Sequence, residues 1–128
     1  MPYADLPFIF GETEGITSKD CVIRLPLGIN NKSALLSAYA EAGHFPEYFG
    51  NNWDAFNDCL RDFSWTSQKR IIIAHDDLPL ATNLKELSVY LDILGEAVRL
   101  WKLEERHELV VIFPLKNEAT IARLMNES

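Results

Sequence analysis

The sequence predicts an α/β fold in which a small three-stranded parallel sheet is flanked by helices. Three short apolar segments, at residues 21–26, 70–74 and 109–113, have the length and composition of buried strands. Amphipathic patterns with helical spacing lie between them, and strands that alternate with helices usually pair in parallel. The chain has 128 residues, which is enough for one domain with a buried core and too few for two ordinary domains.

The N-terminal segment, residues 1–20, is the least regular part of the sequence. A short apolar run is followed by Gly11 and Gly15, a pattern that predicts an irregular arm or a small hairpin. The first core strand follows and closes at Pro26, since proline cannot donate to a strand ladder. We therefore expect the regular fold to begin at residue 21.

The first helix has clear signals at both ends. Asn31 or Ser33 can cap its N-terminus, and Gly43 provides a stop after about Glu41. Its apolar stripe consists of Ala34, Leu35, Ala38 and Tyr39.

A second, short helix is predicted to start at Trp53, after an Asn51–Asn52 turn whose amide side chain can accept from the first helical N–H groups. Spacings of three and four residues place its large apolar side chains on one face, directed to the core: Trp53, Phe56, Leu60 and Phe63.

The second half of the chain continues the alternation. A continuous apolar run at residues 70–74 predicts a central strand covered on both faces. A long helix is expected over residues 83–103, then the strand at 109–113, and a short helix over 119–125. The stripe of the long helix consists of Leu84, Leu87, Leu91, Leu94, Val98 and Trp101.

Charge and cysteine content restrict the classes of function. The net charge is −7, which disfavours binding to nucleic acid or to anionic membranes and favours a basic protein partner. Cys21 and Cys59 lie in apolar segments, which indicates buried thiols in a reducing compartment rather than a disulfide framework. The first 15 residues lack the pattern of an export signal, and no apolar run is long enough to span a membrane. A cytoplasmic protein is expected.

Three carboxylates mark the second helix. Asp54, Asp58 and Asp62 recur every four residues and are predicted to share one helix face. Asp54 is favoured by the helix dipole, whereas Asp62 lies near the opposite end. Arg61 can pair with Asp58 three residues earlier, which favours an ordinary solvated face over a functional one. The pattern alone leaves both interpretations open.

A second polar cluster, His75-Asp76-Asp77, follows the strand at 70–74. The carboxyl ends of parallel strands often bind ligands, so a metal or acid/base site is one interpretation. The preferred interpretation is structural, because either Asp can cap a short helix beginning at Pro79 and no third ligand is placed nearby. His44 and His107 are isolated. We find no catalytic constellation and expect neither enzymatic activity nor a cofactor or metal.

The segment around the second helix contains a dense set of motif residues: Pro46-Glu47-Tyr48-Phe49-Gly50, Asn52, Asp54-Ala55-Phe56 and Asp58-Cys59-Leu60. These residues closely resemble the signature of the barstar family of ribonuclease inhibitors. The order of elements from residue 21 to 113 also resembles the family and implies a barstar-like domain. Residues 1–20 and 114–128 are additions to it, an N-terminal arm and a C-terminal extension.

The resemblance implies that a loop and the acidic helix block a ribonuclease active site. The carboxylates would stand where RNA phosphates sit, against Arg, Lys and His of the enzyme. It gives Tyr48 an aromatic loop contact and gives Asp54 and Asp58 the central acidic contacts, with an acidic residue on the long helix, best matched by Glu96. The partner-binding residues predicted in this way are Tyr48, Asn52, Trp53, Asp54, Asn57, Asp58, Arg61, Asp62 and Glu96.

The sequence also departs from the family pattern. Where the family often has two small residues and then Trp, this chain has Arg61, Asp62 and Phe63, and a tryptophan follows only at Trp65. Asn57 takes a position that is often aromatic, and Arg61 would repel a cationic active site.

The function favoured by these observations is inhibition of a basic ribonuclease toxin inside the producing cell, by a monomer in a 1:1 complex. One alternative is an acidic interaction module whose basic partner is not a nuclease. Another is a hydrolase that uses Asp54, Asp58 and a His or metal. An inhibitor needs a convex, exposed acidic patch, whereas an enzyme needs a cleft.

Overall fold

A computed structural model describes residues 6–11, 15–46 and 52–127. The α/β class and the parallel sheet flanked by helices are confirmed. The strands and the main helices predicted from residue 21 onward are present, although the second helix ends earlier than expected and the short helix expected at Pro79 is absent. The elements are β1 (Ile9–Phe10), β2 (Cys21–Leu25), α1 (Lys32–Ala42), α2 (Trp53–Leu60), β3 (Arg70–His75), α3 (Leu84–Glu104), β4 (Glu108–Phe113), a 3₁₀ turn (Leu115–Asn117) and α4 (Glu118–Glu127).

The sheet has four strands rather than the three expected, in the order β1-β4-β3-β2, and every pairing is parallel. The additional strand comes from the N-terminal arm: Ile9 is paired with Ile112 and Phe10 with Phe113. The arm therefore contributes a strand to the sheet edge, where a small hairpin was one expectation. Two residues are too few to produce a period-two pattern, so no strand could be predicted there.

The two faces of the sheet differ in what covers them. In β2, Ile23 and Leu25 are buried in the core, and Val22 and Arg24 point to the other face, where both are exposed. The central strand β3 is buried from Ile71 to His75, as its continuous apolar sequence predicted. The helices α1, α2 and α3 lie on the core side, so Arg24 marks the opposite face.

Helix α2 lies against both α1 and α3 through aromatic contacts. The ring centroid of Phe56 is 4.6 Å from that of Tyr39 on α1 and 5.9 Å from that of Tyr90 on α3. All three side chains are fully buried. Because one large side chain of α2 contacts both neighbouring helices, the outer face of α2 has a fixed position relative to the domain.

The long helix α3 confirms the predicted stripe from Leu87 onward, but Leu84 is 47% exposed. Leu84 is the first residue of the helix and lies before the turns that contact the core. At Gly95 the helix is approached closely, since a Cβ there would lie 3.3 Å from both Met125 Cε and Pro7 Cγ. The arm and α4 thus both pack against α3 at one glycine. Among the described residues, none of the helices has the length and apolar character needed to span a membrane.

Candidate protein-binding surface

Helix α2 begins where the sequence predicted. The Oδ1 atom of Asn52 accepts a hydrogen bond of 2.7 Å from the backbone N–H of Ala55, which makes Asn52 the N-cap. Asp54 lies in the first turn, where a negative charge is favoured by the helix dipole. Asn52 and Asp54 are both exposed. Tyr48, the predicted loop contact, lies outside the described residues.

The helix ends at Leu60, earlier than the spacing of the aromatic residues indicated. Phe63 is still buried but follows the helix in a left-handed conformation, with φ of 47°. Asp62 consequently lies in the turn and not on the helix face. Its Oδ2 accepts from Ser64 Oγ at 3.1 Å, and its backbone oxygen accepts from Arg106 at 2.9 Å. The prediction of three carboxylates on one helix face is therefore wrong for Asp62.

Asp54 and Asp58 do share the outer face of α2, and both are exposed. Within the part of the chain that the structure describes, neither takes part in an ion pair. Their carboxylates lie one helical turn apart, on the side opposite the buried Phe56 and Leu60. The two charges are therefore available to a partner without first leaving another contact.

The sequence suggested an ion pair between Arg61 and Asp58, but Arg61 pairs with a different carboxylate. Its Nη2 atom lies 3.5 Å from Oε2 of Glu96 on α3. Arg61 is the C-cap residue, where the chain leaves the helix, so its side chain reaches α3 instead of folding back along α2. Two predicted site residues are thus brought together, Arg61 and Glu96, and both are exposed.

Trp53 is half-buried where α2 begins. Its Nε1 donates to Glu86 Oε2 at 2.9 Å, and Lys32 Nζ lies 5.9 Å from the centroid of its ring. The indole also packs against Phe56 and Tyr90, with centroids 6.0 and 6.3 Å away. Trp53 therefore links the first turns of α1, α2 and α3. Lys32 and Glu86 were not predicted as part of this surface, because their only local signal is their position in the first turn of a helix.

Asn57 lies on α2 between the acidic face and the core and is half-buried. Its Oδ1 atom is buried and has no hydrogen-bond partner in the described part of the protein. The neighbouring Cys59 is buried, and its thiol pKa is raised to about 11 by burial first and then by the charges of Asp62 and Asp58. The thiol is thus protonated at neutral pH and is a weak nucleophile.

The second polar cluster is not brought together as a site. His75 is buried, with Nδ1 2.8 Å from the carbonyl oxygen of Ile112 and Nε2 2.7 Å from the hydroxyl of Tyr90. Asp76 pairs with Arg24 at 2.7 Å on the other side of the sheet.

Asp77 does not cap a helix either. Its Oδ2 accepts from the backbone N–H of Gly28 at 2.9 Å, and residues 79–82 form turns, so the short helix expected at Pro79 is absent. Across residues 6–11, 15–46 and 52–127 the structure contains no group of three or more His, Cys, Asp or Glu side chains arranged to hold a metal ion.

The family model for Barstar (barnase inhibitor) matches residues 21–114. The chain belongs to the barstar family. The match begins at β2, includes α1, α2 and α3, and ends after β4. No curated protein and no solved structure gave a significant match. The chain is thus similar to inhibitors of barnase, and members of this family are inhibitors rather than enzymes.

Proposed function

We propose that this protein inhibits a basic ribonuclease by covering its active site with helix α2. The observation that carries the proposal is the exposure of Asp54 and Asp58 on one helix face of a barstar-family domain. In this arrangement the two carboxylates meet the cations that otherwise bind RNA phosphates. The other proposed contacts are Asn52, Trp53, Asn57, Arg61, Asp62 and Glu96, together with Tyr48, the aromatic contact that the family resemblance implies.

The charge distribution supports rapid association with a cationic enzyme. A net charge of −7 attracts a basic protein at long range, and exposed carboxylates on the contact face orient it. Desolvation on binding strengthens the attraction between opposite charges, so the central carboxylates become energetic hot spots. Asp58 lies in the middle of the face and is the leading candidate.

The anchoring of α2 supports tight binding as well as fast binding. Phe56 is buried between α1 and α3, and Trp53 is hydrogen-bonded to Glu86. A helix held in this way loses little conformational freedom when it meets a partner, so less of the interaction energy is lost to ordering. The surface is preorganised for a rigid counterpart.

Nothing favours the hydrolase alternative. Asp54 and Asp58 are exposed on the outside of a helix rather than in a cleft. Neither of two clefts in the described part of the protein, of about 670 and 650 Å³, is lined by a residue of α2. Carboxylates in acid/base catalysis instead work where water is excluded and their pKa values are shifted.

An interaction module with a non-nuclease partner is the second candidate, and Arg61 favours it. A cation on the binding face departs from what a uniformly basic enzyme requires. Both candidates use the same face and differ only in the partner.

The deciding experiment is inhibition of RNA cleavage, with barnase as the first probe and nucleases captured from the host lysate as the second. We expect the wild-type protein to inhibit at least one of these nucleases stoichiometrically, and Asp58→Ala to lose that inhibition. Asp76→Ala is the matched control, because it removes one exposed carboxylate on the opposite face of the sheet. If every captured partner lacks nuclease activity and barnase is not inhibited, the inhibitor function is wrong and the interaction module is preferred.

A further inference from the structure

The acidic face of α2 is bounded by cations at both ends. Asp54 and Asp58 lie in the middle, Lys32 lies over the Trp53 ring near the start of the helix, and Arg61 lies at its end. Arg61 is the cation closest in sequence to the central carboxylates. The surface is thus a small acidic centre with a cationic border, not a uniformly acidic face.

The ion pair between Arg61 and Glu96 contributes little to folding. Its two side chains are 43% and 63% exposed, and the closest N–O distance is 3.5 Å. Exposed pairs of this kind add little to stability, because solvent screens them and two long side chains lose freedom. Stability therefore gives no strong reason for an arginine at this position.

The pair has a larger effect on the charge that the surface presents to a partner. Glu96 is the acidic residue of α3 near the end of α2, and Arg61 offsets its charge. Asp92, one turn away on α3, lies close enough to Glu96 and Arg99 to be affected by both: burial and the Glu96 charge raise the pKa of its carboxyl, while Arg99 lowers it. The acidic surface consequently stays narrow where α2 meets α3.

We propose that Arg61 is the specificity-determining residue of this surface. It selects a ribonuclease whose cations are confined to the region opposite Asp54 and Asp58, and which presents a carboxylate opposite Arg61. It disfavours an enzyme whose cations extend as far as α3, because such a cation would compete for Glu96 and would leave Arg61 beside a like charge. This inference rests on the proposed function and names the class of ribonuclease that the surface fits.

The test measures binding of barnase, used as the probe, to the wild-type protein and to Arg61→Ala and Arg61→Glu. The matched control is Arg24→Ala, which removes the arginine of another exposed ion pair on the opposite face of the sheet. Association and dissociation rates are measured by stopped-flow fluorescence at two salt concentrations. Circular dichroism and urea unfolding confirm that each variant is folded.

We expect Arg61→Ala to bind barnase about tenfold more tightly than the wild type, and Arg61→Glu more tightly still, since one and then two units of charge change beside the cationic site. Arg24→Ala is expected to change affinity less than twofold. The gain should shrink at high salt.

Three outcomes overturn the inference. Unchanged or weaker binding by Arg61→Ala means that Arg61 does not reject barnase, and if Asp58→Ala still abolishes inhibition, the proposed function stands without the inference. An equal gain in Arg24→Ala means that net charge, not position, controls affinity. If none of the variants binds barnase, Arg61 is not the residue that prevents binding. The ribonuclease function is then judged on nucleases captured from the lysate.

Discussion

The indole of Trp53 donates a hydrogen bond to Oε2 of Glu86 at 2.9 Å, so the beginning of α2 is attached to the first turn of α3. The interaction is partly buried, and it joins the proposed binding helix to the longest helix of the domain. The position of Asp54, the next residue along α2, therefore depends on a contact that involves neither α2 carboxylate.

Replacing Trp53 by Phe tests this attachment. We expect a loss of about 1 kcal/mol in the free energy of unfolding, because the hydrogen bond to a carboxylate is removed while most of the packing is kept. Urea unfolding followed by circular dichroism gives the value. Trp65→Phe is the control, since Trp65 is also half-buried but donates at 3.2 Å to the uncharged carbonyl oxygen of Gly43. Equal losses in both variants would contradict a special role for the contact with Glu86.

A buried chain of hydrogen bonds joins β3, α3 and α1 beneath the binding helix. A carbonyl oxygen can only accept, so Nδ1 of His75 donates to Ile112 and its Nε2 accepts from Tyr90. The hydroxyl of Tyr90 then accepts from that of Tyr39, 2.6 Å away. Burial lowers the pKa of His75 to about 4, from 6.5, and raises the pKa of both tyrosines.

This arrangement predicts acid sensitivity. The unfolded chain takes up a proton on His75 below about pH 6.5, whereas the folded protein does so only near pH 4. Stability is therefore greatest above pH 6.5 and falls as the pH decreases toward 4, by up to about 3 kcal/mol from this residue. Urea unfolding at several pH values measures the slope, which His75→Gln should reduce. A His44→Gln variant, at an exposed position, serves as the control. If His75→Gln leaves the dependence of stability on pH unchanged, His75 is not the group responsible for it.

Gly43 is the stop of α1 and is buried where the chain turns toward α2. A Cβ at this position would lie 2.9 Å from both the Tyr39 carbonyl oxygen and Cε1 of Phe45. The backbone oxygen cannot move without disturbing the end of α1. We expect Gly43→Ala to lower the free energy of unfolding by about 1 to 3 kcal/mol. Thermal and urea unfolding provide the test, with Gly28→Ala as a comparison in which no atom lies within 4 Å but φ is +77°. A stable Gly43→Ala protein would show that the turn can relax.

The parts of the fold that the sequence predicted are those with long, regular patterns. The continuous apolar strand at 70–74 and the stripe of α3 each contain many consistent positions. The strand was predicted correctly, and so was the stripe from Leu87 onward. Asn31 and Asn52 act as N-caps, as predicted, because their short amide side chains accept from nearby N–H groups. Local chemistry determines these features, so sequence alone was sufficient.

The features that were missed depend on distant contacts. β1 forms because the arm meets the edge of β4, and two residues leave no pattern to detect. Arg61 has a local candidate partner in Asp58, but the helix ends at Leu60 and the side chain reaches Glu96, 35 positions away in the printed sequence. Spacing rules assume that the helix continues. These rules fail where α2 ends, and Arg61, at the border of the proposed surface, lies at that end.

The rate at which the acidic face meets its partner should depend on salt. If Asp54 and Asp58 steer a cationic enzyme, the association rate should fall steeply as added salt shortens the Debye length from about 10 Å to about 3 Å. The dissociation rate should change much less, because water is excluded from the contacts once the complex has formed. Stopped-flow mixing with barnase, or with a nuclease captured from the lysate, measures both rates.

Asp54→Asn and Asp58→Asn keep the shape of these side chains and remove their charges, so each variant should flatten the salt dependence of association. Asp76→Asn, on the opposite face of the sheet, changes the net charge equally and should leave most of that dependence in place. If all three variants behave alike, the overall charge of the protein guides association and the α2 face does not. An association rate that is indifferent to salt would exclude steering altogether and would favour the interaction module with a non-nuclease partner.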